Sequence, residues 1–205
     1  MPHLTRRSTL LGAALVPLLP HLARAEAPIG LAQEVSGAAS LTHMGQTLPM
    51  APGDKLSDGD TVATGEAALA LLILQEDTKL NLGPATEVVL TSWLADVGGE
   101  ITLSGASGGA LVFDRDDSLP PVDLVFETGF GEIGVRGTRF FAGPSRGVWA
   151  VFCQRGQVAV TGAGVTRVLN PGDGVELAAG AAPGEVVVWG AARVEEAFAS
   201  LGLTP

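Results

Sequence analysis

Side chains with soft or near-neutral functional groups are scarce in this chain of 205 residues. Cys153 is the only cysteine, and His43 is the only histidine beyond residue 25. A single thiol forms no internal disulfide, so the fold must depend on its core for stability. Nucleophilic and metal-assisted catalysis need several titratable groups held together. We therefore expect no enzyme, no metal and no other cofactor, and paired carboxylates, as in glycosidases, are the one catalytic class left open.

Basic residues are also few. The chain has 12 lysines and arginines against 22 acidic residues, and Lys55 and Lys79 are the only lysines. Removal of the first 25 residues takes three arginines and no acid, which leaves a net charge of −13. A strongly negative protein without a basic patch is repelled by nucleic acids and anionic lipid surfaces. Both are therefore excluded as expected partners.

Long apolar runs are missing beyond the leader, residues 1–25. The leader carries the pair Arg6 and Arg7, an apolar run to residue 19 that Pro17 interrupts, and the cleavage pattern Ala23-Arg24-Ala25. This order is typical of a twin-arginine export signal, with the Sec pathway as the alternative. A membrane span requires about 20 consecutive apolar residues, so the run is too short to act as an anchor. We predict an exported, periplasmic protein whose mature chain has no membrane span.

What the chain does contain is a series of short β-type runs separated by Gly-Asp, Gly-Gly and Pro-Gly pairs. This pattern predicts an all-β fold for residues 26–205, taken as a single domain of solenoid-like, sandwich or barrel form. Residues 67–74 are rich in alanine and leucine, as helices are, but the turn after them and the alternating residues 78–82 favour a hairpin. Residues 148–153 are apolar on both strand faces, which predicts a buried, inert thiol at Cys153.

A short helix is predicted only at the C-terminus, over residues 191–201. Val194, Ala197, Phe198 and Leu201 fall on one of its faces, and Gly202 ends it. We expect this helix to cover an open edge of the sheet, with partner binding as the alternative.

Several stretches imitate catalytic or metal-binding motifs. Residues 129–134 match G-x-G-x-x-G and residues 105–109 match G-x-S-x-G, but neither precedes a helix as those motifs require. Residues 114–117 are acidic but lack the ligand spacing of a calcium loop, so we expect a solvated turn. Residues 57–62 and 170–175 each place Gly-Asp in a turn with a valine two residues later, which predicts a recurring turn.

An arginine lies within an apolar, glycine-containing segment at residues 133–140. Arg136 stands between Gly134 and Gly137, and Thr138 and Phe140 follow. A guanidinium buried in a strand needs a carboxylate or several carbonyl groups, and the candidates for a carboxylate are Glu132, Asp60 and Asp173. Arg136 is therefore expected to be structural, and the alternative is that it presents its fork to an anionic ligand or a partner carboxylate.

Residues 133–140 resemble the signature of the FecR-like family, named for a periplasmic sensor of iron-dicitrate uptake. Residues 53–65, with Gly59, Asp60 and Gly65, resemble its opening turn and strand, and residues 151–160, with Gly156, resemble a later strand. The three blocks cover roughly residues 30–180. The FecR-like regulators also have an anti-sigma segment, a membrane span and a further α/β domain, so we expect a stand-alone form of the β domain.

The resemblance implies a non-catalytic sensing or signalling module. Its partner would be a periplasmic or outer-membrane protein, or an envelope component. A cupin-type β-barrel enzyme is one alternative, marked by polar groups converging in a deep cavity. A structural protein that recognises envelope glycans is another, marked by exposed tryptophans, although Trp93, Trp149 and Trp189 all lie in predicted strands and are expected in the core.

Overall fold

The computed structural model describes residues 27–75, 78–94, 98–105, 108–116, 118–119 and 123–205, apart from the side chains of residues 93, 94, 136 and 137. The leader residues Arg6, Arg7, Ala23 and Ala25 lie outside this part of the chain. Within it, the all-β prediction is confirmed, because strands dominate and one short helix follows them. None of the described helical residues form a segment long and apolar enough to cross a membrane.

Short strands follow one another through the described residues, and two of them are much longer than the rest. In chain order they are β1 (Gly30–Ser36), β2 (Ala39–His43), β3 (Gln46–Pro49), β4 (Lys55–Leu56), β5 (Thr61–Thr64), β6 (Leu69–Leu74), β7 (Thr78–Leu82), β8 (Thr86–Leu94), β9 (Gly98–Gly105), β10 (Leu111–Asp114), β11 (Asp123–Thr128), β12 (Gly131–Ser145), β13 (Val148–Gly162), β14 (Val165–Leu169), β15 (Asp173–Leu177) and β16 (Val187–Val188).

All of these strands belong to one continuous sheet that does not close. The main order is β3-β2-β5-β8-β9-β11-β12-β10-β7-β6-β1-β4, and β13 joins β12 to β14 and β15, with β16 beyond β15. The β9–β11 pair is parallel, and the other described pairs are antiparallel. Side chains alternate between buried and exposed along most strands, so one face of the sheet encloses a core of leucine, valine, isoleucine and phenylalanine.

The hairpin predicted at residues 67–82 is confirmed. In β6, Leu69–Leu74, every second side chain is buried, and the strand pairs with β7 from Ala70↔Leu82 to Leu74↔Thr78. A helix would place these residues at a period of 3.6, whereas the burial follows a period of two. Packing therefore overrides the helical preference of alanine and leucine.

Strand boundaries differ from the sequence prediction in three places: two strands continue where a break is predicted, and one predicted strand is divided. The sequence predicts strands over residues 131–135 and 138–142, and over residues 148–154 and 157–161. β12 and β13 instead each run for 15 residues through these breaks. In β12 the pairing with β13 shifts register between residues 136 and 140, as at a β-bulge, so the strand continues. Conversely, Gly37 adopts a φ of 81° and separates β1 from β2, where a single strand is predicted.

The helix α1 (Ala191–Ala199) lies against the outward face of the sheet. Its Phe198 packs with Phe141 of β12, Phe152 of β13 and Trp189 in a second apolar cluster. The prediction of an edge cover is therefore wrong, because α1 covers a face on which β10, β12 and β13 carry apolar side chains in both directions. The helix also ends two residues before the predicted residue 201, in a turn where Gly202 has a φ of 71°.

Candidate functional site

The signature residues 133–140 lie where β12 changes its neighbour. Up to Val135 the strand pairs with β11, and from Arg139 it pairs with β10. On the other side it pairs with β13, where Arg136↔Gln157 is followed by Arg139↔Arg155 across a shift of register. The signature therefore forms a bulge between two differently paired halves of one strand.

Each signature side chain that the structure describes supports this bulge. Thr138 is buried, and its hydroxyl donates to the Arg155 carbonyl. Phe140 is buried between Phe113 and Phe126. Opposite the bulge, Gly156 has a φ of 77°, a backbone conformation that favours glycine. Thr138, Phe140 and Gly156 are thus structural in their contacts.

The side chain of Arg136 lies outside the described part of the structure, as does any detail of Gly137. Of the carboxylates proposed for Arg136, Asp60 accepts hydrogen bonds from the Ser57 amide and from His43, and Asp173 accepts one from the Asn170 amide. Whether Arg136 is structural or presents its fork to a ligand therefore stays a prediction.

A buried arginine does occur, but at Arg115. Its side chain is fully buried, and Nη1 donates to the Thr78 hydroxyl over 2.7 Å. Its amide donates to the Thr138 carbonyl over 3.1 Å, and its own carbonyl accepts from Arg155 over 2.7 Å. The prediction of a solvated turn at residues 114–117 is wrong for Arg115, because the end of β10 directs its side chain inward.

Asp114 connects this region to the C-terminal helix. Its carboxylate accepts a hydrogen bond from Arg155 over 3.0 Å, and it lies 3.5 Å from Nε of Arg139. The Arg139 guanidinium lies 5.1 Å from the centre of the Phe198 ring, a cation–π distance. Ion pairs of Asp114 and a cation–π contact of Arg139 thus connect the bulge and the end of β10 to α1.

On the outer face of the sheet, the other signature glycine forms the floor of a groove. Gly134 lies directly opposite Val125 of β11 and Ala159 of β13, and Ala159 lies opposite Val168 of β14. The two small residues are flanked by the exposed valines, and Asp123 and Gln157 line one side. The groove has a volume of about 250 Å³. We call this set the Gly134 groove.

Two described carboxylates lie beside the Gly134 groove. Glu127 and Glu132 are exposed and face each other across the β11–β12 pair, next to Val125 and Gly134. Among the described residues neither carboxylate has a hydrogen bond or an ion pair. Like charges directly opposite each other in a sheet are destabilising. A cationic group bound there would relieve this repulsion.

The Gly-Asp turns predicted at residues 57–62 and 170–175 are confirmed, and a third copy occurs before β4. In each turn the aspartate carboxylate accepts a hydrogen bond from the amide three residues earlier, over 2.8 to 3.0 Å. The glycines, Gly53, Gly59 and Gly172, have φ values between 81° and 96°. The Gly-Asp pattern predicts that the carboxylate caps amides after the turn, whereas each carboxylate accepts from the amide that opens it.

Asp60 differs from its counterparts because it is buried and also binds a histidine. Its Oδ1 lies 2.6 Å from Nδ1 of His43, whose side chain is about half exposed.

Gly65, four residues after the start of β5, donates its amide to the Ala38 carbonyl, and its own carbonyl accepts from the amides of Ala68 and Ala85. These residues of the opening block therefore join β2, β5 and the start of β6.

The reactive groups considered in the sequence lie apart. Cys153 is buried, and burial raises the pKa of its thiol. Trp149 and Trp189 are buried as predicted, and the side chain of Trp93 lies outside the described part. The described histidine, cysteine, aspartate and glutamate residues include no group of three placed to hold a metal ion.

Comparisons with known proteins gave few similarities. No protein-family model matches this chain, and no curated protein does. Two solved structures of a "putative anti-sigma factor" from Parabacteroides distasonis ATCC 8503 are similar, with 17% and 18% sequence identity and TM-scores of 0.49 and 0.48. Each alignment covers 62% of this chain and 57% of the solved chain, so the chain spans a little over half the length of those proteins.

Proposed function

We propose that this chain is a non-catalytic, FecR-like interaction domain of the periplasm that binds a protein partner through the Gly134 groove. The three sequence blocks that resemble the FecR-like family support the class of function. The twin-arginine leader supports the location. The observation that carries the proposal is the groove itself, whose floor contains a glycine that the fold does not need.

Neither a positive φ nor a lack of space for a Cβ requires glycine at position 134. A Cβ built at this position would lie 3.8 Å from the nearest atoms, both of Ala159, which is ordinary van der Waals contact. Its φ lies outside the left-handed region, whereas at Gly162 an added Cβ would lie 2.6 Å from the Ala181 carbonyl oxygen. A side chain at 134 would fit the backbone but would fill the groove. The groove is therefore the feature that glycine preserves.

The partner that fits is an extended segment with an apolar residue and basic neighbours. The apolar residue would lie over Gly134 and Ala159, between the valines of the rim. Lysine or arginine beside it would lie near Glu127 and Glu132, which have no ionic partner among the described residues. Complementary charge of this kind steers association and selects partners.

Three observations favour this function over the alternatives. Trp149 and Trp189 lie in the core, whereas a glycan platform requires exposed aromatic rings. The space enclosed by the sheet is filled with aliphatic and phenylalanine side chains, whereas a cupin enzyme requires polar groups that converge in a cavity. Cys153 is buried, and His43 is bound to Asp60 on the β2–β3 side of the sheet.

The test is site-specific photo-cross-linking in the periplasm from position 168, at the exposed rim of the groove. We expect one discrete protein adduct. Gly134→Val should abolish it by filling the groove, and Glu127→Lys with Glu132→Lys should abolish it by reversing the charge. Gly129→Val is the matched control, because this glycine has open space around it and lies in the β11–β12 turn. An adduct that persists in Gly134→Val with an unchanged urea midpoint would contradict the proposal.

A further inference from the structure

The β2–β3 hairpin forms one end of the sheet. Met44 and Gly45 connect the strands with φ values of 48° and 78°, as in a two-residue type I′ turn. β3 pairs with β2 on one side, and no strand of the described residues lies on the other side. All four residues of β3 are exposed. The hairpin therefore presents a free strand edge, which in most proteins is covered or charged.

Charge protection near this edge is limited to Asp54 and Lys55, which line a pocket with Gln46, Leu48 and Pro49. Residues 35–53 contain no aspartate, glutamate, lysine or arginine, although the chain as a whole carries a net charge of −10. Within this segment Met44 is 90% exposed and Leu48 is 61% exposed. Interface cores are depleted in charge and enriched in methionine. The uncharged hairpin is therefore a surface of interface composition on an otherwise acidic protein.

A groove lies beside the free edge. It has a volume of about 630 Å³ and is lined by Ala38, Thr47, Leu48, Met50, Ala63 and Gly65, with other residues of the same strands. Its lining contains no charged residue. A strand that paired with β3 would place its side chains next to this groove, so backbone pairing and side-chain burial can occur together.

The alternation of backbone hydrogen bonds along the hairpin determines which N–H and C=O groups of β3 are free to bind another strand. The Met50 amide donates to the Ala39 carbonyl over 2.9 Å. The pair Leu41↔Leu48, two residues along, therefore also directs its backbone groups toward each other. In an antiparallel ladder the intervening residues direct their backbone groups to the opposite side. Thr47 and Pro49 therefore face the free side, where they offer the Thr47 amide and two carbonyls.

We propose that β3 binds an extended, uncharged segment of a partner protein by strand addition. The Thr47 amide and carbonyl would pair with one residue of the incoming strand, and an apolar side chain of that strand would occupy the groove. A second copy fits this edge less well. Pro49 has no amide hydrogen, so two β3 strands centred on Thr47 would lack two ladder donors, whereas a partner strand without proline would meet one such gap. This proposal is independent of the Gly134 groove.

The test uses the mature chain and a capped, uncharged peptide, Ac-Thr-Val-Thr-Val-Thr-Val-NH2, followed by amide exchange and chemical-shift changes at Thr47. We expect the Thr47 amide to become protected when the peptide binds. A peptide of the same length with lysine in place of threonine should protect the Thr47 amide less, whatever it does at the Gly134 groove. Thr47→Pro removes the outward donor without removing a backbone hydrogen bond to β2, and should weaken binding about tenfold. It also loses the hydroxyl bond to Thr42, which Thr47→Val loses equally. Thr47→Val keeps the amide and is the matched control, so it should bind as the unaltered protein does.

Three results would overturn the proposal. Thr47 could remain unprotected at millimolar peptide, or Thr47→Pro could bind as tightly as Thr47→Val. Thr47 could also become protected with increasing protein concentration alone, together with a dimer in sedimentation, which would identify a second copy as the occupant. Gly134→Val should leave peptide binding unchanged, so failure here is distinguishable from failure at the groove.

Discussion

At the scale of single residues, the buried cation among the described side chains is Arg115. An apolar strand segment predicts such a residue at Arg136, because glycines and hydrophobic neighbours surround it in sequence. Arg115 has acidic neighbours in sequence, and these indicate a turn exposed to water. Its burial arises because β10 ends against Thr78 of β7 and Thr138 of β12, which receive its side chain and its amide.

We predict that Arg115→Ala lowers the free energy of unfolding by about 3 kcal/mol, since it removes a buried cation and leaves its polar neighbours unpaired. Arg115→Lys should recover little, because an ammonium group does not reproduce the planar fork. The measurement is urea denaturation followed by tryptophan fluorescence. Arg146→Ala is the control, because Arg146 forms an exposed ion pair with Glu196 and should leave the midpoint nearly unchanged. Equal midpoints for Arg115→Ala and Arg146→Ala would contradict this prediction.

At the scale of elements, the three Gly-Asp turns are the recurring device of the fold. Each begins with an amide bound by the aspartate side chain and leads directly into β4, β5 or β15. The aspartate amide also donates back to the carbonyl three residues earlier, so both ends of the turn are tied. These turns set where the next strand starts, and thereby contribute to register.

Replacement of the turn aspartates by alanine should destabilise the protein to different degrees. Asp54→Ala loses one exposed hydrogen bond, and Asp173→Ala loses two from Asn170, the second of which is long at 3.4 Å. Each variant should cost about 1 kcal/mol. Asp60→Ala should cost about 2 kcal/mol, since Asp60 is buried and also loses His43. Urea midpoints of the three variants provide the comparison. An Asp60→Ala variant as stable as Asp54→Ala would mean that the His43 contact contributes nothing.

At the scale of the whole molecule, two surfaces of different electrostatic character lie on one acidic protein. The Gly134 groove is flanked by Glu127 and Glu132, which have no ionic partner among the described residues, whereas the β2–β3 hairpin has no charged residue over residues 35–53. Along the main order of the sheet, five strands lie between β3 and β12. Partners of different chemistry could therefore occupy the two surfaces together.

Export of the whole chain should depend on the arginine pair of the leader. Changing both Arg6 and Arg7 to lysine should retain the precursor in the cytoplasm, because the twin-arginine receptor distinguishes the guanidinium pair from equal positive charge. Fractionation followed by immunoblotting measures the exported share. Unchanged periplasmic yield would instead assign export to the Sec pathway.

Much of the fold follows from local sequence patterns. The alternation in β7, the Gly-Asp turns and the helical face of Val194, Ala197 and Phe198 all depend on neighbours within a few residues, so they can be predicted without the structure. The breaks expected within β12 and β13 are wrong because long-range pairing on both sides carries each strand across its irregular segment.

The sequence by itself determined the all-β class, the turn chemistry, the acidic charge and the burial of Cys153, Trp149 and Trp189, because each depends on composition or on local periodicity. Only the tertiary structure decided which strands lie side by side. That choice buried Arg115, placed α1 on a sheet face, aligned Gly134 with Ala159 and left β3 at a free edge. Such features depend on contacts between residues far apart in the chain, and local patterns carry no information about them.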